Sequence, residues 1–127
     1  MRTDGTTIEC FRGDSGNIYI SKTDKEGNIE KFLAGDHVIF TIKNNFGEVN
    51  PILRKVFEVQ NDTEELELQF SKEDTLIGEL ISEAVDYEYD ISVNGEHTIL
   101  GHGSDGAKIF RLYPTGSVDK WLVLKII

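Results

Sequence analysis

The stretch Val85-Asp86-Tyr87-Glu88-Tyr89-Asp90-Ile91-Ser92-Val93, closed by Asn94-Gly95, decides how this chain reads. Val85, Tyr87, Tyr89, Ile91 and Val93 share one side of a period-two pleat, and Asp86, Glu88, Asp90 and Ser92 share the other. Strict alternation over this length marks a strand with one face in a core and one in water. Asn-Gly at its end is a strong hairpin signal, because both residues accept positive φ.

Working back from this strand, Ser71-Lys72-Glu73-Asp74 has the spacing of a helix start, a hydroxyl residue followed by acids in the first turn. Gly78 follows so closely that only one short helical turn fits, near residues 71–77. Before it, Glu64 to Phe70 alternates with Leu66, Leu68 and Phe70 inward. In Ile52 to Val59, Leu53, Phe57 and Val59 agree but Lys55 interrupts them, which suggests a bulge. His37 to Lys43 carries Val38, Phe40 and Ile42 in phase. Asn17 to Lys22 and Thr6 to Phe11, the latter with Ile8 and Cys10 on one face, read as two more strands around the turn Arg12 to Gly16. Met1 to Gly5 reads as a loose lead-in. Downstream, Glu96 to His102 runs back as the partner of the Val85 strand, then Lys108 to Tyr113 and Asp119 to Ile127 complete the series. About nine short strands and one helical turn suit an all-β, antiparallel sandwich, in a single domain over residues 1–127.

A chain of 127 residues can bury a core without disulfide or metal support. Its one cysteine, Cys10, excludes an internal disulfide and suits a reducing compartment. Met1 to Ile8 lacks the apolar run of a signal peptide, and no apolar run approaches membrane-spanning length. The expectation is therefore a soluble protein made without a signal peptide, with no membrane partner. The formal net charge is −10. Asp62 to Asp90 holds eleven acids against one base, Lys72, so this segment carries the whole imbalance. Such a balance argues against nucleic acid, which needs a basic footprint. It suits a solvated acidic face, a basic protein partner or a divalent cation.

No catalytic constellation emerges. His97 and His102 are five apart on one strand and point to opposite faces, and a zinc site would need more ligands than His37 and Cys10 supply. Nucleophile-elbow, P-loop and His-Glu-x-x-His patterns do not occur. Asp86, Glu88 and Asp90 form a row spaced roughly 6–7 Å apart. A calcium ion would need further oxygens from elsewhere, and cross-strand bases such as Lys108 or Arg111 would partly neutralise the row. The expectation is no enzyme, no metal and no cofactor, with Asp86, Glu88 and Asp90 as an acidic contact row. Arg12-Gly13-Asp14 matches a tripeptide of some integrin ligands, but Gly-Asp is ordinary turn chemistry.

Asp119 to Ile127 is apolar on both faces, with Trp121, Val123 and Ile127 on one and Leu122, Leu124 and Ile126 on the other. Such a strand is either central in its sheet or covered by a partner. At an edge it would invite pairing with another chain. Trp121, Leu122, Val123, Leu124 and Ile126 are therefore the candidate partner-binding residues. A stand-alone carbohydrate- or surface-ligand-binding module is the alternative, with Tyr19, Phe46, Tyr113 and Trp121 as the aromatic candidates.

Four pieces of the chain, in order, carry a family resemblance. They are Phe11-Arg12-Gly13-Asp14-Ser15, Ala34-Gly35-Asp36-His37-Val38-Ile39-Phe40-Thr41-Ile42-Lys43, Ser71-Lys72-Glu73-Asp74-Thr75, and Tyr87-Glu88-Tyr89-Asp90-Ile91 with the return Thr98-Ile99-Leu100-Gly101. Together they resemble the immunoglobulin-like domain of tail and baseplate proteins of phages and prophages of Gram-positive bacteria, such as the N-terminal domains of upper-baseplate proteins. The resemblance spans about residues 8–113 of this sequence. It implies an immunoglobulin-like β-sandwich with a structural role in a virion, docking to other tail or baseplate proteins without catalysis. It also implies a protein made in the bacterial cytoplasm and carried in the tail. Family members continue into a stalk or receptor-binding region. The segment at about 119–127 has no counterpart in them, and self-association or docking through it would take that place.

Overall fold

A computed structural model describes residues 1–44, 50–95, 97–100 and 108–114. Its strands are β1 (Arg2–Asp4), β2 (Thr7–Phe11), β3 (Gly16–Ile20), β4 (Lys22–Thr23), β5 (Ile29–Glu30), β6 (His37–Lys43), β7 (Leu53–Glu58), β8 (Leu66–Phe70), β9 (Val85–Val93), β10 (His97–Leu100) and β11 (Lys108–Tyr113). Among the described residues a single 3-10 turn covers Glu73–Thr75. The fold is all-β. One sheet runs in the order β1-β2-β11-β9-β6-β7, with β10 also on β9. The pair β3-β8 lies across its inner face, and β4-β5 forms a small separate ribbon. Among the described residues all strand pairings are antiparallel except β2 with β11, which is parallel.

The alternation of β9 translates directly into position. Tyr87, Tyr89, Ile91 and Val93 are buried, while the residues between them lie on the outer face. Its first half pairs with β11, its last residues with β10, and its opposite edge with β6. Asn94 and Gly95 both take positive φ, 55° and 73°, as the turn demands. β6 supplies Val38, Phe40 and Ile42 to the core, all fully buried. Each such side chain contributes roughly 1.5–3 kcal/mol by leaving water. The Phe40 ring stacks on Tyr89 at 5.3 Å and meets Phe70 of β8 edge-on at 5.1 Å, which joins the two layers.

Two sequence expectations need correction, the lead-in and the bulge. Met1 to Gly5 is not a loose lead-in. Arg2–Asp4 pairs with β2 through a two-residue turn that starts at Gly5, φ 59°. As expected, β10 runs back antiparallel on the end of the Val85 strand, and among the described residues its first half, Val85 to Tyr89, pairs with β11. The β6–β7 register runs without a shift from His37↔Glu58 to Ile42↔Leu53, so β7 has no bulge. Lys55 stays on the inner side of this edge strand. Its stem covers Phe57 and Phe70, with Nζ 5.4 and 5.5 Å from their ring centres, and its ammonium pairs with Asp74. The short helical turn expected near residues 71–77 is there, over residues 73–75. Ser71 and Asp74 cap it reciprocally: Asp74 Oδ2 accepts from Ser71 N–H at 2.7 Å, and Ser71 Oγ accepts from Asp74 N–H at 3.3 Å. The expected strand at 119–127 lies outside the described residues.

Gly78, at φ +67°, sits against the buried Tyr87, and a Cβ there would run into the Tyr87 hydroxyl. Gly78→Ala is expected to cost about 1–3 kcal/mol, combining left-handed strain with the clash. Tyr87→Phe in the same chain should relieve the clash but not the strain. Urea unfolding of the two single variants and the double variant checks this, and strict additivity would show that the hydroxyl is not the obstacle.

Candidate functional site

Three surfaces bear chemistry. The first lies on the outer face of the large sheet, where one register row crosses four strands. Arg2 of β1 stands opposite Glu9 of β2, Glu9 opposite Arg111 of β11, and Arg111 opposite Asp86 of β9. The charges alternate along the row. Arg2 Nε donates to Glu9 Oε1 at 2.9 Å, and Arg111 Nη1 lies 3.5 Å from Glu9 Oε2. Arg111 also donates through Nε and Nη2 to the two oxygens of Asp86, at 2.7 and 3.2 Å. Such a fork is the strongest form of side-chain ion pairing. Tyr113 Oη donates to Glu9 Oε2 at 2.6 Å, and the Tyr113 ring packs on Phe11 at 5.5 Å.

Glu9 is only 6% exposed, unusual for a carboxylate on the outer face of a sheet. The Tyr113 hydroxyl bond, aided by the two guanidiniums and opposed by burial, holds its carboxyl below the usual carboxylate range. The same bond raises the Tyr113 phenol, and the Asp86 pair raises Arg111. Sequence reasoning missed Glu9. Its alternation with Ile8 and Cys10 only says "outward", and the partners arrive through a parallel pairing that no local pattern announces.

The acidic row thus divides. Asp86 is bound to Arg111, whereas Glu88 stands opposite Lys43 and Ile109, and Asp90 opposite Thr41. Lys108 is opposite Tyr89, on the adjacent position. Trp121, Leu122, Val123, Leu124 and Ile126 lie outside the described residues, as do Phe46 and His102. Among the described residues no group of three or more His, Cys, Asp or Glu side chains could hold a metal ion, and no helix is long and apolar enough to cross a membrane. Cys10 is buried in the core, and burial pushes its thiol up to about 11, so it is no thiolate nucleophile at neutral pH.

The second surface is the outer face of β3-β8. Tyr19 is 57% exposed and stands opposite Glu67, to which its hydroxyl donates at 2.8 Å. Asn17 and Gln69 face each other beside them, and the Gln69 amide also donates to Glu67. An open aromatic ring ringed by a carboxylate and two amides can stack and hydrogen-bond a polar ligand. The third is a cleft of about 360 Å³ between the β1-β2 turn and β3, floored by Tyr89 and Ile91. The Tyr89 hydroxyl closes its depth by donating to the Thr6 carbonyl at 2.5 Å.

The Arg12-Gly13-Asp14 turn is committed to the fold. Gly13 N–H donates to Thr75 Oγ1 at 2.9 Å, and the Thr75 hydroxyl donates to the Asp14 carbonyl at 2.8 Å. Arg12 reaches the Ile77 and Gly78 carbonyls at 3.3 and 3.4 Å. Its side chain is engaged with the loop ahead of β9, which leaves the adhesive reading no support.

No protein-family model, curated protein or solved structure matches this chain.

The Glu9 network sets a pH dependence. The folded-state carboxyl titrates below its unfolded value of 4.5, so its stabilisation is full above that pH and is lost as pH falls through the folded value. Glu9→Gln should therefore be less stable than the intact chain near neutral pH, with the gap closing in acid. Thermal melts at about pH 7 and about pH 3 read this directly. A gap of constant size would assign Glu9 a packing role instead.

Proposed function

We propose that this chain is an immunoglobulin-like, non-enzymatic module of a phage or prophage tail or baseplate that works by docking to other proteins. The observation that carries the reading is strand order. β11-β9-β6-β7 facing β3-β8 corresponds to strands G, F, C and C′ facing B and E of an immunoglobulin variable-type sandwich. The residues behind the family resemblance also support it, because they hold the corners of this arrangement. The Arg12-Gly13-Asp14 turn bonds to Thr75, and Asp36 accepts from the Asn94 amide at 3.3 Å. Tyr87 is buried near the start of β9, with its hydroxyl against Gly78 in the loop from β8.

In this reading docking uses the apolar Trp121, Leu122, Val123, Leu124 and Ile126, with Asp86, Glu88 and Asp90 as polar contacts on the outer face. Cys10, buried and un-ionised at neutral pH, offers no nucleophile, in keeping with a structural role. The module is made in the bacterial cytoplasm and ends in the virion. Immunogold labelling of particles released from the producing bacterium, with antibodies to this chain, is expected to mark tail tips. Antigen found solely in the particle-free fraction overturns the reading. Tail, holin or endolysin genes beside its own would strengthen it.

The Tyr19 surface favours a second reading, a carbohydrate-binding sandwich. Under it, a glycan array gives discrete hits that Tyr19→Ala abolishes without lowering the melting temperature. An array without hits for folded protein removes this reading.

A further inference from the structure

The large sheet ends at β7, and the backbone phase of that edge can be read from its neighbours. Val59 N–H donates to the Asp36 carbonyl at 2.9 Å, and Asn94 N–H donates to the His37 carbonyl at 2.7 Å. Successive β6 residues therefore alternate, with Val38, Phe40 and Ile42 bonding toward β7 and His37, Ile39, Thr41 and Lys43 toward β9. On β7, Leu53, Lys55 and Phe57 turn their N–H and C=O groups to β6. Arg54, Val56 and Glu58 turn theirs away from the sheet. Among the described residues no strand pairs with that side.

We propose that β7 pairs with β7 of a second copy of this chain, antiparallel about a two-fold axis through Val56, so that two large sheets become one. The side chains choose both the partner and the register. An axis through Val56 sets Val56 against its own copy and sets Arg54 against Glu58 of the other chain, twice. These three residues are also the ones whose backbone groups point outward, so the same axis forms hydrogen-bonded pairs at 54–58, 56–56 and 58–54. On the inner face it sets Lys55 opposite Phe57 of the other copy.

Neighbouring registers are worse. An axis through Lys55 opposes two lysines, and one through Phe57 loses both Arg54–Glu58 pairs. Any half-step would set outward side chains against inward ones. Val56 is 44% exposed and stands opposite Ile39 on β6. The dimer would therefore carry an apolar stripe, Ile39-Val56-Val56-Ile39, between two flanking ion pairs. A lysine turned inward on an edge strand ordinarily blocks such pairing. Here Lys55 is already matched by Asp74 of its own chain. An isologous two-fold contact is the commonest route to a closed oligomer. It uses residues other than the C-terminal segment and holds whether or not the tail reading does.

Sedimentation velocity of the intact chain, raised to about 1 mM, should show a monomer–dimer equilibrium. Arg54→Glu and Glu58→Arg each put like charges together at two places and should weaken the dimer by roughly tenfold or more. Mixing the two variants in equal amounts should restore it, since every 54–58 pair is then opposite in sign. Val56→Lys should abolish it. All three positions are on the outer face, and unchanged melting temperatures show that the variants fold. A chain that stays monomeric throughout overturns the proposal. So does a dimer that ignores the substitutions, or a mixture that fails to recover.

Discussion

The contact on which the rest depends is the Phe40 ring. It stacks on Tyr89 of the neighbouring strand, meets Phe70 of the opposite layer edge-on, and touches Phe110 on β11 at 6.2 Å. Three strands of the large sheet and one of the small pair thus meet on one side chain. Removing a ring of this kind costs about 3–5 kcal/mol, a large share of the stability of a small domain. The arrangement requires inward phase on β6, β9, β11 and β8 at once. A slip of one residue in any of them would turn its ring outward.

Hydrogen bonds at the two ends of β9 hold that phase. At its start, Thr75 ties the Arg12-Gly13-Asp14 turn to the 3-10 turn, while Gly78 admits the Tyr87 hydroxyl. At its end, Asn94 accepts from His37 N–H, donates to the His37 carbonyl, and bonds the Asp36 carboxylate. Asp36 in turn accepts from Leu33 N–H at 3.0 Å, which holds its carboxyl below the ordinary range. Residues far apart in sequence therefore fasten one strand at both ends.

What could be read from the sequence follows from this division. β9, β6, β8 and β11 were legible because each is half-buried, so its alternation is printed in residue type. Lys55 misled because a charged residue on the inner face looks like a break in phase. Only the fold reveals that Asp74 waits there, nineteen residues away in chain and adjacent in space. β1 was illegible for the opposite reason: all three residues are exposed, so burial left no pattern. The Glu9 row depends on cross-strand register, which a single strand does not encode. Of the candidate site residues, the acidic row was placed on its face by alternation alone; Arg111 was foreseen beside Lys108 as a cross-strand base, and the sheet register assigns it to Asp86.

The excess of acid between Asp62 and Asp90 also has a local physical account. Several of these carboxylates serve as acceptors where the chain leaves regular pairing. Asp62 takes the Ala34 N–H at 2.9 Å and Asp74 takes the Ser71 N–H, while within the β3-β8 ladder Glu67 takes the Tyr19 hydroxyl. An acceptor for a backbone N–H needs no matching base, so each such use adds negative charge without a compensating lysine. Where a base is present, it comes from outside the segment: Lys55 to Asp74, Arg111 to Asp86. At Asp74 burial opposes ionisation, yet the bonds from Lys55 and Ser71 outweigh it and the carboxyl is lowered. Glu67 and Glu9 move the same way through hydrogen bonds from Gln69 and Tyr113. The acidity is in this sense partly structural. It leaves two copies of the chain repelling each other at long range, so any contact between them must gather its attraction at short range.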